Sequence, residues 1–312
     1  MIDLTRAPKR AFISSNPAKS EILRDAGLGS HDAPIPDGAE LLSKVEIFIR
    51  RFCVLPSESD YVATALWVVH AHMVEHFDTS PRLAVLSPEP GSGKTRALEV
   101  LDLLTPNTMF VFSASPAAIF RTIAVEQTTL LFDESDTIFG RQGKDDQNED
   151  LRALLNVGYR KGATIPRCVG SQHEVQRFNV FCAVALAGLG DLPDTVMTRS
   201  IVVRMRRRAP HECVEPFRLR EQEHQGHAIR DQLAAWADHA GKEAGAAWPV
   251  LPSGVVDRAA EVWEPLIAAA DAAGGCWPDR ARAACVEICG GLGTRGQSLG
   301  VRLLMDLKLI FG

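Results

Sequence analysis

The stretch Leu83–Thr95, LAVLSPEPGSGKT, joins a short apolar run to a glycine-rich turn that ends in Lys-Thr. A turn of the pattern G-x-x-x-x-G-K-[ST], placed between a buried strand and a helix, is typical of loops that bind phosphate through backbone N–H groups. Gly93, Lys94 and Thr95 fit this pattern, but Pro88 replaces its first glycine. Because that first position mainly shapes the exit from the strand, we expect the loop to bind phosphate. A chance match in a loop without a ligand is the alternative.

Each part of this loop has its own task in a nucleotide site. Glycines at the tip let the backbone turn tightly towards phosphate oxygens, and the lysine meets the β- and γ-phosphates. The threonine hydroxyl is a ligand for Mg²⁺, and the positive end of the following helix attracts the anion. The sequence therefore predicts a site for ATP and Mg²⁺ that comprises Pro90, Gly91, Ser92, Gly93, Lys94, Thr95 and Arg96.

An acidic element follows the loop, at the end of the apolar run Thr129–Phe132. Asp133, at the carboxyl end of a strand beside the loop, is placed to hold Mg²⁺ through water, together with Thr95. The adjacent Glu134 is placed to polarise an attacking water, so we predict Glu134 and Lys94 as catalytic residues of a hydrolysis. The alternative is an ordinary acidic strand end in contact with solvent.

Strands and helices alternate in the middle of the chain and give way to helices after residue 209. This alternation predicts an α/β fold with a parallel sheet, and the glycine-rich loop predicts that the sheet is of the P-loop type. The predicted strands cover residues 83–86, 109–113, 129–132, 179–187 and 200–205. We predict a flexible lead-in over residues 1–37, N-terminal helices over 38–80, a P-loop core over 81–208 and a helical lid over 209–312.

Basic residues cluster in two segments of the predicted core. Residues 159–176 contain two β-prone pieces around Gly170, which predicts a hairpin that carries Arg160, Lys161 and Arg167 towards the phosphates of DNA. An ordinary connecting hairpin is the alternative. Four further arginines are open to three interpretations: a role at the nucleotide, contact with a phosphate backbone, or solvation at the edge of the sheet. These four are Arg204, Arg206, Arg207 and Arg208.

Composition argues against several classes of protein. The chain has 312 residues, 46% of them hydrophobic, and a formal net charge of −5, so contact with nucleic acid needs a local basic surface. The N-terminus lacks the apolar stretch of a signal peptide, and no apolar run matches the roughly 20 residues of a membrane helix. The seven cysteines, without a C-x-x-C pair, favour neither a disulfide framework nor a zinc ribbon. A reducing cytoplasm is the expected location.

The order of these motifs resembles that of AAA-type P-loop ATPases over about residues 81–208. Four segments are also similar to a helicase-like domain of unknown function in phage and mobile-element proteins, often fused to primase modules. This narrower resemblance covers nearly the whole chain from about residue 38. Its segments are SPEPGSGKTRALEVL, LLNVGYRKGAT, ALAGLGDLPDTVMTRSIVVRMRRR and DRAAEVWEPLIAAADAAGGCWP.

The resemblance implies an ATPase that forms a homo-oligomeric ring, with a hexamer expected. It further implies DNA as the track, a replication protein as a partner and the cytoplasm of a bacterial host as the location. An ATP-driven protein remodeller, loader or defence switch without a DNA track is the alternative.

The resemblance also implies roles for single residues. Arg199, just before the last strand, matches a catalytic arginine that reaches the γ-phosphate bound by a neighbouring subunit. Arg258 matches a lid arginine that touches nucleotide bound by the same subunit, with an ordinary helix start as the alternative. Where related proteins carry a polar sensor residue after the fourth strand, Asp191 is the nearest candidate. Relatives continue past Ile310, which leaves open a truncated C-terminus.

Overall fold

Strands and helices alternate from Arg82 to Arg204, as the sequence predicts, and helices alone follow in the described part of the chain. The computed structural model describes residues 36–111, 116–139, 146–169, 174–295 and 307–308. Its strands are β1 (Arg82–Ser87), β2 (Thr108–Val111), β3 (Thr129–Phe132), β4 (Thr164–Val169), β5 (Glu174–Asn179), β6 (Ala183–Leu189) and β7 (Ser200–Arg204).

The helices vary widely in length, and a 3-10 turn, Val74–His76, follows the second of them. Among the described residues, no helix is both long and apolar enough to cross a membrane. The helices are α1 (Gly38–Phe52), α2 (Glu58–Met73), α3 (Lys94–Leu104), α4 (Pro116–Val125), α5 (Asp136–Phe139), α6 (Asp146–Val157), α7 (Asp194–Met197), α8 (Leu219–Ala246), α9 (Asp257–Ala273) and α10 (Trp277–Arg295).

Five parallel strands form the central sheet, in the order β2-β3-β6-β1-β7. Alternate residues of each strand face opposite layers. Leu83 and Val85 of β1 pack with α1, α2 and α3, whereas Ala84 and Leu86 pack with α4 and α6. A parallel sheet needs this cover on both faces. The predicted parallel α/β sheet is confirmed, and it brings the carboxyl ends of β1, β6 and β3 to one edge.

An antiparallel hairpin, β4–β5, lies outside this sheet. It confirms the hairpin predicted around residue 170, whose tip lies outside the described residues. The strand predicted over residues 179–187 is wrong at its start, because Asn179 ends β5 and β6 begins only at Ala183. The Asn179 side chain accepts a hydrogen bond from the backbone N–H of Phe181 at 3.1 Å, and this local turn interrupts the extended chain.

Two other predictions lie partly outside the described residues. The strand predicted over residues 109–113 begins one residue earlier and is described up to Val111. Of the lead-in predicted over residues 1–37, only Pro36 and Asp37 are described. Asp37 caps α1, since its carboxylate accepts a hydrogen bond from the backbone N–H of Glu40 at 2.9 Å.

Helices from before and after the sheet pack together beside it. Helix α2 is buried almost all round because it contacts α1, α8, α9 and α10. Its Trp67 is fully buried and donates its indole N–H to a backbone carbonyl just before β1 at 2.8 Å. Glu46 of α1 pairs with Arg280 of α10 at 2.7 Å. The predicted boundary at residue 209 therefore marks a change to helical chain, while both sides share one hydrophobic cluster.

The close contact of α8 with α3 predicts opposite effects of two glycine-to-alanine changes. A Cβ at Gly226 of α8 would lie 2.6 Å from the Cβ of Leu103, an atom fixed to the backbone of α3. Gly226→Ala should therefore cost about 1–3 kcal/mol of unfolding free energy. Gly290 of α10 has open space there among the described residues, so Gly290→Ala should gain up to about 1 kcal/mol. Urea unfolding followed by tryptophan fluorescence compares the two, and equal losses would contradict the packing argument.

Candidate active site

The predicted phosphate loop leaves β1 at the carboxyl edge of the sheet and ends in α3. Its left-handed residues are Gly91, with a φ of 77°, and Gly93, with a φ of 90°, a conformation that glycine adopts at little cost. Pro88, whose ring fixes a negative φ, stands before this left-handed part, so the position that departs from the pattern lies outside the glycine tip of the turn. Gly93 directly precedes α3, and the positive end of that helix therefore adjoins the loop.

Lys94, the first residue of α3, binds back onto the loop. Its ammonium group donates to the hydroxyl of Ser87 at 2.6 Å and to the hydroxyl of Ser92 at 3.3 Å. Partial burial lowers the pKa of Lys94, while the carboxylates of Asp133 and Asp136 act against that shift. The lysine charge therefore lies within the field of the acidic segment after β3.

The loop and the acidic strand end meet directly. The Thr95 hydroxyl donates to the Asp133 carboxylate at 2.8 Å, across the end of β6, which separates β1 from β3 in the sheet. Asp133 also accepts a hydrogen bond from the backbone N–H of Glu134 at 2.9 Å. Glu134 is exposed and has a φ of 55°. A left-handed residue with a long side chain is strained, and such strain is concentrated at functional sites.

A third carboxylate at this edge was missed in the sequence. Asp136 accepts a hydrogen bond from the backbone N–H of Leu189 at 3.0 Å and so ties the segment after β3 to the end of β6. Gly188 makes room for this crossing, because a Cβ there would lie 2.5 Å from the hydroxyl oxygen of Ser135. The stretch D-E-S-D contained the acidic signal, but only the crossing over β6 brings Asp136 to the site.

The residues at this edge fit a magnesium ion. Mg²⁺ takes oxygen ligands and uses one or two protein groups together with substrate phosphates and water. Thr95 and Asp133 offer a hydroxyl and a carboxylate next to each other and beside the loop. Among the described residues, no group of three or more His, Cys, Asp or Glu side chains has the geometry of a metal site. A cation here would therefore depend on further ligands from its substrate.

A cavity of about 510 Å³ opens beside residues 91–93 of the loop. Residues 52–54, at the end of α1, and Phe217, before α8, form part of its lining. Arg96 lies over the ring of Phe217, with its guanidinium carbon 4.4 Å from the ring centre. The volume is typical of pockets for small ligands. The sequence placed Arg96 at the nucleotide but missed the other residues, because only tertiary packing brings them to the loop.

One arginine of the run after β7 lies on the loop itself. The Arg207 Nε donates to the carbonyl oxygen of Pro90 at 3.1 Å and lies 3.3 Å from the carboxylate of Glu89. Arg208 lines the same cavity. Of the four arginines of this run, Arg207 is thus the one that contacts the phosphate loop.

Two other arginines of this run are held by carboxylates. Arg204 pairs with Asp191 at 2.6 Å, and Arg206 pairs with Glu212 at 2.5 Å. Asp191, the sensor candidate, therefore belongs to an ion pair at the exposed end of β7. Asp136 is the carboxylate that is hydrogen-bonded to the end of β6, whereas Asp191, two residues beyond that end, pairs with Arg204.

Arg199 lies at the amino ends of the strands, which form the edge of the sheet opposite the one that carries the phosphate loop. Its carbonyl oxygen accepts a hydrogen bond from the backbone N–H of Arg82 at 2.9 Å, at the start of β1. The loop follows Ser87, at the other end of this six-residue strand. A strand of that length spans about 20 Å. A role for Arg199 at a nucleotide therefore requires a nucleotide bound by another chain.

Arg258 lies at this same edge, and not at the phosphate loop. Its guanidinium carbon is 5.8 Å from the centre of the Tyr159 ring, as is that of Arg199. The carbonyl oxygen of Tyr159 accepts a hydrogen bond from the backbone N–H of Ser80, two residues before β1. This placement corrects the prediction that Arg258 touches nucleotide of its own subunit. The physical reason is that α9 packs against α2 and α8, which brings its first turn to the start of β1.

The three residues predicted to contact DNA all have partners within the chain. These are Arg160 with Glu261 at 2.9 Å, Lys161 with the carbonyl oxygen of Glu75 at 2.6 Å, and Arg167 with Asp150. Only Arg167 belongs to the hairpin proper. Arg177 is exposed on β5, opposite Pro166 in the register, and was missed in the sequence.

Comparisons with known proteins match the chain in part. Residues 204–312 are similar to a family described as "Protein of unknown function (DUF3631)". A protein of Saccharopolyspora erythraea, "Uncharacterized 28.9 kDa protein in xis 5'region", is 45% identical over 109 residues. That match covers 35% of this chain and 41% of the other protein, so the chain spans less than half of the relative's length. The family match begins at residue 204, whereas the predicted resemblance to mobile-element proteins begins at about residue 38. The match therefore leaves out the phosphate loop and Asp133.

The carboxylates near Lys94 predict how the pKa of its amine changes when one of them is removed. Asp133→Asn should lower the Lys94 pKa further, because the Asp133 carboxylate favours the protonated amine. Asp136→Asn should act in the same direction. Asp191→Asn, which removes a carboxylate paired with Arg204, is the control and should leave the Lys94 pKa unchanged. NMR of labelled lysine side chains across alkaline pH measures the shift, and a raised or unchanged pKa in Asp133→Asn would contradict the geometry.

Proposed function

We propose that the chain is an Mg²⁺-dependent ATPase of the AAA type. One observation carries the proposal: the Thr95 hydroxyl at the end of the loop donates to Asp133 at the end of β3, with Lys94 in the field of that carboxylate. The phosphate loop, the Lys94 ammonium group, the Thr95 hydroxyl and the Asp133 carboxylate thus lie together at the carboxyl ends of the parallel strands. Ligands of open α/β folds bind at those strand ends.

The cavity beside the loop favours a nucleotide over a simpler phosphate ester. It continues from residues 91–93 to the apolar wall formed by residues 52–54 and Phe217. A phosphate chain on the loop would leave its organic end next to this wall, where Arg96 and Phe217 already stack. Arg207, bonded to the loop at Pro90, adds positive charge from the same chain.

The proposed reaction is hydrolysis of the terminal phosphoanhydride bond. A water oxygen bonds to the γ-phosphorus, the bond from that phosphorus to the bridging oxygen breaks, and ADP and inorganic phosphate leave. Glu134 accepts the proton of the attacking water. Lys94 and the N–H groups of the loop hold the phosphate oxygens against the developing charge. Mg²⁺, when bound by Thr95 and Asp133, neutralises further phosphate charge.

Arg199 favours an assembly in which neighbouring copies share sites. The length of β1, about 20 Å, separates Arg199 from the loop of its own chain. In a ring of identical subunits, here expected to be a hexamer, the same edge of every copy faces the loop of the next. Hydrolysis would then need assembly, so specific activity should rise with protein concentration.

DNA is the proposed track, in the replication of a phage or mobile element within a bacterial cytoplasm and with a replication protein as partner. The name of the Saccharopolyspora erythraea relative, which refers to a xis 5' region, agrees with a mobile-element setting. The hairpin offers a surface for DNA, since β5 is largely exposed and carries Arg177. An ATP-driven remodeller, loader or defence switch is the second candidate, and the internal partners of Arg160, Lys161 and Arg167 favour it.

Two variants separate ATP binding from hydrolysis. Lys94→Ala should lose binding of a fluorescent ATP analogue, because it removes the cation of the phosphate loop. Glu134→Gln should bind ATP as the unaltered protein does but release phosphate about 10²–10⁴-fold more slowly, because the general base is lost. Glu126→Gln, at an exposed glutamate before β3, is the matched control. The proposal fails if the assembled, unaltered protein neither binds ATP nor releases phosphate.

A variant of the hairpin distinguishes DNA as the track from a protein as the target. The variant Arg177→Ala should lower DNA-stimulated phosphate release and keep the rate without DNA, because it removes positive charge from the exposed strand β5 and leaves the Arg167–Asp150 pair intact. Lys242→Ala, at an exposed lysine of α8, is the control for general loss of charge. Turnover that ignores both single- and double-stranded DNA would reject the DNA track in favour of a protein partner.

A further inference from the structure

Two arginines from distant parts of the chain share one buried tyrosine at the amino edge of the sheet. Tyr159 is fully buried, and burial raises the pKa of Tyr159 to about 12, so its ring carries no charge at neutral pH. Arg199, before β7, and Arg258, in the first turn of α9, each have the guanidinium carbon 5.8 Å from the ring centre. Both arginines are partly exposed, so the Tyr159 ring makes cation–π contacts with two guanidinium groups that solvent still reaches.

One carboxylate forms ion pairs with two arginines in this cluster. Glu261, one turn after Arg258 on α9, forms ion pairs with Arg258 and with Arg160. The backbone of Glu261 is held by Thr79, whose hydroxyl donates to its carbonyl oxygen at 2.9 Å. Partial burial lowers the pKa of Arg199, the charges of Arg258 and Arg160 lower it further, and the carboxylate of Glu261 acts against that shift. The charges of Arg258 and Arg160 therefore act on Arg199 against the carboxylate of Glu261, near which Asp78 and Glu264 also lie, and an anion placed beside Arg199 would relieve the repulsion between the arginines.

We propose that Arg258 is a second catalytic arginine, which one copy of the chain presents, beside Arg199, to the γ-phosphate of the nucleotide bound by the next copy. The inference rests on the proposed ATPase function and goes beyond it, because it assigns a catalytic group to the helical region. Three oxygens on one phosphorus can accept hydrogen bonds from two guanidinium groups. The loop of the same chain is out of reach, at the far end of β1.

The shape of the cluster favours a single phosphate over the backbone of a nucleic acid. A nucleic acid strand presents phosphates in a row, and a row of cations along a surface would match them. Arg199 and Arg258 instead converge on one ring. Glu261 holds Arg258 in this position in a single chain, so the arginine is already oriented when a neighbour arrives.

The first test separates ATP binding from catalysis in the full-length chain. Arg258→Ala should bind a fluorescent ATP analogue within about twofold of the unaltered protein and release phosphate at least about a hundredfold more slowly. Arg258→Lys keeps the charge but loses the planar guanidinium group that donates two parallel hydrogen bonds, so it should still slow phosphate release at least about tenfold. It replaces Arg258→Ala if that variant fails to fold. Arg230→Ala, which removes an arginine paired with Asp231 on α8, should match the unaltered protein. Weakened ATP binding in both Arg258 variants would indicate a contact within one chain and overturn the proposal.

The second test asks whether the arginine acts on a neighbour. Arg258→Ala chains keep Glu134 but lack the arginine, whereas Glu134→Gln chains supply the arginine but lack the base. In an equal mixture, roughly a quarter of the interfaces join an intact site to an intact arginine. Phosphate release should rise above that of either variant towards roughly a quarter of the unaltered rate. No rise, with mixed assembly verified by co-purification of differently tagged chains, would refute action between copies.

The outcomes distinguish this inference from the proposed function. If the unaltered protein binds no ATP, the ATPase proposal fails and the role of Arg258 fails with it. If the unaltered protein hydrolyses ATP and Arg199→Ala is inactive while Arg258→Ala keeps its full rate, only the second arginine is refuted. If Arg258→Ala loses DNA binding and keeps hydrolysis, the cluster is a nucleic-acid site and the inference is overturned.

Discussion

The hydrogen bond from the Thr95 hydroxyl to the Asp133 carboxylate joins the two halves of the candidate site. A bond between exposed groups adds only about 1 kcal/mol, so it cannot by itself align the segments that carry it. The alignment comes from the sheet, in which β1 and β3 run parallel on either side of β6 and end at one edge. Gly188 at the end of β6 leaves space for the segment after β3 to cross. The meeting of Lys94 and Thr95 with Asp133 and Asp136 depends on this register.

Chain segments that precede the sheet and segments that follow it in the sequence together form the wall of the cavity. Arg51 of α1 pairs with Glu215 of the segment after β7 at 2.8 Å, and Arg96 of α3 stacks on Phe217 two residues later. These contacts hold the segment after β7 against the helices that flank the loop. The same segment carries Arg207 onto the loop. Any shift of this segment would therefore change the cavity and the charge at the loop together.

The sequence predicted the parts of the site that have a local signal. The glycine-rich turn before Lys94 and the strand that ends in Asp133 each combine apolar run, turn chemistry and charge within a few residues. It could not rank Arg207 against Arg258, since both are arginines near the end of an element. Their opposite positions follow from tertiary packing, of the segment after β7 on α1 and of α9 on α2. The error at Asn179 has a local cause, a side-chain turn inside an otherwise continuous β-prone run.

The loop and the amino-edge arginines are connected by one pair of strands. Strand β7 runs parallel to β1 along its whole length, and the pair is fixed at both ends. The backbone N–H of Arg82 bonds to Arg199 at the amino edge, and that of Met205 bonds to Leu86 at 2.7 Å beside the loop. Buried, close-packed strands do not stretch, so the loop and Arg199 cannot shift independently along the strand axis. In an assembly of the proposed kind, this strand pair is the direct link between the site that a copy owns and the arginine that it lends to its neighbour.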